Sequence, residues 1–289
     1  MVEGFRIHPL SMTVPMQRSR RIIGLLPAAG QGTRISPLPM SKELFPLGFR
    51  EVKGKAGLRP KVACHYLLEK MHLAGAREVF LILRPGKWDI PEFLGDGSDL
   101  GLHLAYLTVH VPFGVPFSLN QAYPFIREAT VVMGFPDILF EPADAYLQLL
   151  HRLETHQADV VLGLFPTDQP EKVGVVDFDA GGKVSGIYEK SNFTHLPYMW
   201  AIAAWQPTFT EFLHQVVTNR QRQLVGEQPP HSLEEMPAYR ELPIGDVVQQ
   251  AIEAGLRVEA EPFPNGRSLD IGTPENLKAA IAASLHPLA

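Results

Sequence analysis

Six residues near the start of the chain have the types and spacing to hold a polyanion. In IIGLLPAAGQGTRISPLPMSKELFPLG, Ile22 to Gly48, the small residues Ala28, Ala29, Gly30 and Gly32 form a loop, and the cations Arg34 and Lys42 follow it. Small residues let backbone amides approach an anion with no Cβ in the way. Gln31 and Thr33 complete the loop. A dinucleotide fingerprint needs G-x-G-x-x-G, but Ile35 stands where the third glycine belongs, and no lysine follows a glycine as a P-loop requires. What remains is the outline of a polyphosphate site of another kind.

The elements that must position this loop follow from the apolar pattern. Ile22 to Leu26 reads as a buried strand, Pro60 to Ala74 as a helix stopped by Gly75, and Val79 to Leu83 as the next buried strand. Strand, helix, strand is a βαβ unit with parallel strands. Phe93 to Leu107 reads as a glycine-punctuated turn entering a strand. Thr130 to Met133 is another strand, and it runs through Gly134, Phe135 and Pro136 to Asp137, at the kind of strand end where α/β sheets place ligands.

Ala143 to Gln157 reads as a helix with Leu147, Leu150 and Leu153 on one side. A strand at Asp159 to Phe165 and a hairpin over Val173 to Glu189 follow, the hairpin turning at Asp179 to Gly182, and then a strand over Tyr198 to Trp205. Thr218 to Leu242, polar and rich in Gln, Glu and Pro, reads as a mobile loop. Ile244, Val247, Val248, Ala251 and Ile252 mark one helix face, and Arg257 to Phe263 another strand. SLDIG then brings Asp270 to a turn, and Thr273 and Pro274 open a last helix. The expected fold class is α/β, a Rossmann-like three-layer sandwich with a mixed, mostly parallel central sheet. Residues 1–18 read as a flexible N-terminal extension and 19–289 as one domain.

Composition bounds the partners. A net charge of −5 argues against a general nucleic-acid binder but leaves small anions open. No apolar run is long enough to span a membrane, and the first residues lack the apolar block of a signal peptide. The single cysteine, Cys64, suits a reducing compartment and reads as a core thiol, so the expected location is cytoplasmic. His151 and His156 do not share a helix face, which predicts no zinc site.

The segment PAAGQGTRISPLPMSKELFPLG resembles the signature loop of the sugar-1-phosphate nucleotidylyltransferases. The matching residues are Gly30, Gly32, Thr33, Arg34, Pro37, Lys42, and Leu44 or Phe45 before Pro46. The resemblance continues in order through LGDGSDLGLHLAYL at 94–107, VGVVDFD at 173–179, EKS at 189–191 and SLDIGTPENL at 268–277. The GDGS and GVVDFD segments are similar to glucose-1-phosphate thymidylyltransferases, whereas PAAG and SKELFP are closer to the bacterial UTP-dependent branch.

The resemblance implies attack of a sugar 1-phosphate oxygen on the α-phosphorus of dTTP or UTP, with glucose 1-phosphate the expected acceptor. It implies that Arg34 and Lys42 hold the triphosphate over the loop Ala28–Thr33, and that Lys190 grips the sugar phosphate. Glu189 and the backbone of Gly174 would contact sugar hydroxyls, and Asp137 and Asp270 would share one Mg²⁺. The partners implied are small molecules, with a homo-oligomer allowed. Departures from the family pattern are Phe117 in place of a glutamine in Gly114–Ala122, Phe135 and Pro136 before Asp137, Ala201 in place of glycine, and a short path from Arg34 to Lys42. They keep a second reading open, a sugar-nucleotide-binding regulatory protein without turnover.

Overall fold

Both faces of the first strand are buried, and that fixes the layering. In the computed structural model, which describes residues 21–52, 54–110, 113–189, 195–225 and 241–285, β1 spans Ile22–Pro27. Its Ile23 and Leu25 join one apolar cluster and Leu26 the other. A strand covered on two sides reads as an unbroken apolar run, as this one does.

The chain then makes the hairpin β2 (Pro46–Arg50) and β3 (Arg59–Val62), the helix α1 (Ala63–Leu73), β4 (Glu78–Leu83), the short helix α2 (Asp89–Leu94) and β5 (His103–Thr108). Two short helices follow, α3 (Val115–Asn120) and α4 (Tyr123–Ile126), then β6 (Thr130–Gly134), β7 (Ile138–Glu141), α5 (Ala145–Thr155) and β8 (Val160–Pro166). The remainder is the hairpin β9 (Gly174–Phe178) and β10 (Val184–Glu189), β11 (Tyr198–Trp205), α6 (Pro207–Val225), α7 (Ile244–Glu253), β12 (Val258–Pro262), β13 (Arg267–Asp270) and α8 (Pro274–Leu285).

The central sheet is mixed, in the order β10-β9-β11-β6-β1-β4-β5, with β8 on β11 and β12 on β8. Its working centre is parallel: β1 pairs with β4 and β6, and β4 with β5. One face is covered by α3, α6 and α7 through Phe117, Leu213, Val217, Val247 and Val248. The other is covered by α1 and α5 through Leu67, Met71, Tyr146 and Leu149. The result is the expected three-layer α/β sandwich. A small third cluster, Leu47, Ala63, Ile271 and Ala280, ties β2, α1 and α8 to the end of β13.

Three expectations need correction. The helix expected from Pro60 begins at Ala63, because Arg59–Val62 pairs as a strand with β2 and the His65 ring accepts the Val62 amide at 3.1 Å, starting the helix there. The mobile loop expected from Thr218 is helical to Val225, since Phe209, Leu213 and Val217 recur at four-residue spacing and carry α6 on past Thr218; residues 226–240 lie outside the described residues. In α5 the buried stripe is Tyr146, Leu149 and Leu153, while Leu147 is 43% exposed. Steps of three and four keep a stripe on one face, whereas two successive steps of three drift away from it.

The N-terminal extension 1–18 lies outside the described residues. No helix among the described residues is long and apolar enough to cross a membrane. Cys64 is fully buried, and burial pushes its thiol well above the ordinary range.

Candidate functional site

The loop after β1 turns out of the sheet at the C-terminal ends of the parallel strands. Ala28 and Ala29 are buried, the Ala28 amide bonding the Ile82 carbonyl of β4 at 2.8 Å, while Gly30, Gln31, Thr33 and Arg34 are exposed. Gly32 has φ +67°, a left-handed conformation that costs a residue with a Cβ about 1–2 kcal/mol. A Cβ built on Gly30 would meet nothing within 4 Å, so that glycine keeps the backbone bare toward open space.

Lys42 opens a single 3₁₀ turn, Lys42–Leu44, and its ammonium is ion-paired with Asp137. Both side chains are mostly buried, 14% and 12% exposed. Burial acts to lower the Lys42 pKa, but the Asp137 carboxylate, with Glu43 and Asp270 adding to it, outweighs burial and the net shift is upward. Arg34 Nη2 lies 3.2 Å from Asp270 Oδ2.

The two aspartates arrive together for a reason written in strand pairing. In the small β7–β13 ribbon Asp270 stands opposite Ile138, so Asp137 sits one residue from it, and the Ile271 amide bonds the Asp137 carbonyl at 3.0 Å. Ile271 is fully buried in the third cluster and anchors the ribbon. Asp270 is held by the Gly272 amide on Oδ1 at 2.7 Å, and its carbonyl accepts from Asn276 at 2.8 Å. Phe135 and Pro136 form the turn that delivers Asp137, closed by the Ile138 amide on the Phe135 carbonyl at 3.1 Å.

Arg34, Lys42, Asp137 and Asp270 are thus brought into one place from four separate segments. Two carboxylates are hard oxygen donors that suit a magnesium ion whose other ligands are water and phosphate. Among the described residues no cluster of three or more His, Cys, Asp or Glu side chains could hold a metal alone.

Gly174 and Glu189 meet as register partners at the open end of the β9–β10 hairpin. A Cβ on Gly174 would lie 2.8 Å from Glu189 Oε1 and 2.9 Å from Trp200 Nε1, and a Cβ on Gly245, in the first turn of α7, would also collide with that carboxylate. Two glycines and the Trp200 edge therefore surround the Glu189 head group. Trp200 also contacts the Phe135 ring, centroids 6.1 Å apart, which joins this group to the turn carrying Asp137. Lys190 lies outside the described residues. Ala201 is fully buried, packed in the sheet's second face.

Phe117 is also buried, 5.1 Å from the Phe113 ring, and takes its place in the hydrophobic core beneath the loop. His156 lies 2.8 Å from Glu259, in a cluster with Arg152 and Arg257 remote in sequence from the loop.

One side of the site lies beyond the signature residues. A cleft of about 430 Å³ opens between the loop and the end of β4, and its lining includes Gln31, Ser41, Lys42, Arg84, Lys87 and Asp89. Lys87 is buried and pairs with the buried Glu43 at 2.6 Å, and Ser41 donates through its amide and hydroxyl to Asp89 at 2.6 and 2.8 Å. Burial, only partly offset by Lys87, holds the Glu43 carboxyl above its ordinary value. The signal was present in the sequence: Arg84 and Lys87 directly follow a buried parallel strand, at its ligand-facing end.

Comparison with known proteins fits this geometry. The family model described as nucleotidyl transferase matches residues 23–286. The chain is 24% identical over 263 residues to the low-salt glycan biosynthesis nucleotidyltransferase Agl11 of Haloferax volcanii, covering 89% of this chain and 64% of that protein. It is 31% identical over 172 residues to the glucose-1-phosphate thymidylyltransferase of Mycolicibacterium smegmatis, covering 58% and 54%. Against the Neisseria gonorrhoeae thymidylyltransferase the identity is 28%, over 89% of this chain and 80% of that one. The chain thus spans less than two thirds of the length of the first two relatives. The crystal structure of a UDP-glucose pyrophosphorylase complexed with UDP-glucose superposes with TM-score 0.69 at 17% identity, covering 92% and 98%, a likeness of fold. With the family's model matched over residues 23–286, nearly all of this chain, the chain belongs to the nucleotidyl transferase family.

Proposed function

We infer that the protein transfers a nucleotidyl group from a nucleoside triphosphate to a sugar 1-phosphate, giving an NDP-sugar and pyrophosphate. One observation carries the reading: Arg34 and Lys42 stand beside Asp137 and Asp270 at the ligand end of the parallel strands. The reaction forms a bond from a phosphate oxygen of the sugar phosphate to the α-phosphorus and breaks the bond from that phosphorus to the bridging oxygen of pyrophosphate. The nucleophile is already an anion, so no general base is needed. What the protein must supply is neutralisation of two polyanions and their alignment.

The residues suit that work. Ala29 to Thr33 offer backbone donors to the triphosphate, the Ala28 amide being held by the Ile82 carbonyl, and Arg34 and Lys42 leave their aspartates for phosphate oxygens as the nucleotide enters. Asp137 and Asp270 would hold Mg²⁺. A bound Mg²⁺ supplies charge neutralisation at the phosphates. Glu189, whose head group has room only because Gly174 and Gly245 lack a Cβ, accepts hydrogen bonds from sugar hydroxyls, and the resemblance assigns the sugar phosphate to Lys190.

The donor is dTTP or UTP and the acceptor glucose 1-phosphate, the relatives' names supporting the first and the last of these. With Phe117 turned into the core, no amide from that position reads the base, so discrimination between the two donors is weak.

A pyrophosphate-release assay over a matrix of nucleoside triphosphates and sugar 1-phosphates tests the reading. Release with at least one pyrimidine triphosphate and one hexose 1-phosphate is expected. No release from any pair, together with tight NDP-sugar binding, would favour a regulatory binding protein instead.

A further inference from the structure

The cleft beside the loop contains a cation that the signature residues do not include. Lys42 is paired with Asp137, Lys87 with Glu43, and the Asp89 carboxylate is turned back onto Ser41. Arg84 is different. Its Nε is buried with no hydrogen-bond partner, and it enters no ion pair among the described residues. A buried donor without an acceptor is costly in a finished protein, and an arginine fork is shaped to meet two phosphate oxygens at once.

Its position follows from register. Pro27 stands opposite Ile82, so Arg84, the residue directly after β4, emerges level with the start of the Ala28–Thr33 loop. We propose that Arg84 is a phosphate-binding residue for the nucleoside triphosphate, extending the cationic surface of Arg34 and Lys42 along the cleft toward the pyrophosphate half of the nucleotide.

Strand order decides which substrate it serves. β4 is separated from β9, which carries Gly174, by β1, β6 and β11, so the two lie four strand spacings apart, about 19 Å. No side chain at the end of β4 spans that distance to the sugar hydroxyls placed beside Glu189. Arg84 therefore acts at the nucleotide end of the site and not on the sugar ring. The buried Lys87–Glu43 pair holds the segment after β4 against the 3₁₀ turn of Lys42, which keeps the two cations on one cleft wall.

The assignment rests on the nucleotidyl-transfer reading, yet the two fail separately. The test is titration calorimetry of inorganic pyrophosphate into the full chain with Mg²⁺ present, for the native protein, Arg84→Ala and Arg84→Lys, alongside thermal melting. Loss of one charge-assisted contact weakens pyrophosphate binding about 10- to 100-fold in Arg84→Ala. Arg84→Lys, which keeps the charge and loses the fork, falls between. In turnover, the KM for the triphosphate rises while that for the sugar 1-phosphate stays.

Pyrophosphate affinity within twofold of native in a folded Arg84→Ala overturns the proposal. If that variant does not fold, native-like affinity in Arg84→Lys overturns it as well. Absence of pyrophosphate binding by the native chain overturns it too. Arg84-dependent binding without turnover for any substrate pair would sink the transfer reading and leave Arg84 a phosphate ligand.

Discussion

Removing Lys42 should do two separable things, and a double-mutant cycle with Asp137 distinguishes them. The pair is about six-sevenths buried on both sides, so Lys42→Met leaves a carboxylate in a mostly dry place and Asp137→Asn leaves an ammonium there. Breaking a buried pair from either side costs about 3–5 kcal/mol, and the residual exposure of both groups puts the expectation near the lower end, about 3 kcal/mol. The double variant strands no charge, so its cost falls short of the sum by a coupling of up to about 3 kcal/mol. Urea unfolding of the four proteins gives these values.

The Lys42 pKa is raised from its ordinary 10.5, so the stability it contributes is full below pH 10.5 and is lost as pH rises beyond that value. Lys42→Met should lack that alkaline loss. In turnover, losing one preorganised donor to the developing pyrophosphate charge lowers kcat about 10²- to 10³-fold. Stability effects that add within about 0.5 kcal/mol would refute the energetic pairing. A turnover within tenfold of native would remove Lys42 from the reaction.

Asp270→Asn should abolish Mg²⁺-dependent turnover while the melting temperature moves little, since Asp270 is a third exposed and its amide-bonded Oδ1 is reproduced by the Asn carbonyl; unchanged activity removes it from the site. Gly245→Ala places a methyl on the Glu189 carboxylate and should raise the KM for sugar 1-phosphate with little change for the triphosphate. An equal rise in both would place Glu189 elsewhere than the sugar. His65 is lowered to about 4, chiefly by burial, with Arg50 and Lys61 adding to it. Its folded pKa lies below its unfolded value of 6.5, so the stability it contributes is present above pH 6.5 and is lost as pH falls toward 4. Unfolding midpoints from pH 7 to 4 should drop, and His65→Gln should flatten that part of the curve.

The strands were legible because burial on both faces leaves no room for anything but apolar residues, as in Leu25 and Leu26 or Val131 and Val132. Element edges were less so, because tertiary pairing sets them. Arg59–Val62 is a strand only because β2 lies beside it, and nothing local to Pro60 announces that partner. The charged residues of the signature were legible by type, but their pairings were not. That Lys42 meets Asp137 and Arg34 meets Asp270 depends on the β7–β13 ribbon, whose register joins residues more than a hundred positions apart. Arg84 was legible as a cation at the ligand-facing end of a parallel strand, but its level beside the loop comes from the register of β1 with β4.

The pairings also bear on how the site avoids the repulsion its own charges would create. Two cations aimed at one point without counterions would repel each other and would need solvent in a half-buried place. Two adjacent aspartates would do the same. Paired across, as Lys42 with Asp137 and Arg34 with Asp270, the four groups are close to neutral, and the loop can stay folded. A metal-bound nucleotide offers both pairs a better partner at once, whereas metal alone or nucleotide alone offers it to only one side. Binding of the triphosphate should therefore be much stronger with Mg²⁺ than without, beyond what screening of the phosphates explains. For Arg84, which pairs with no carboxylate among the described residues, that dependence should be absent.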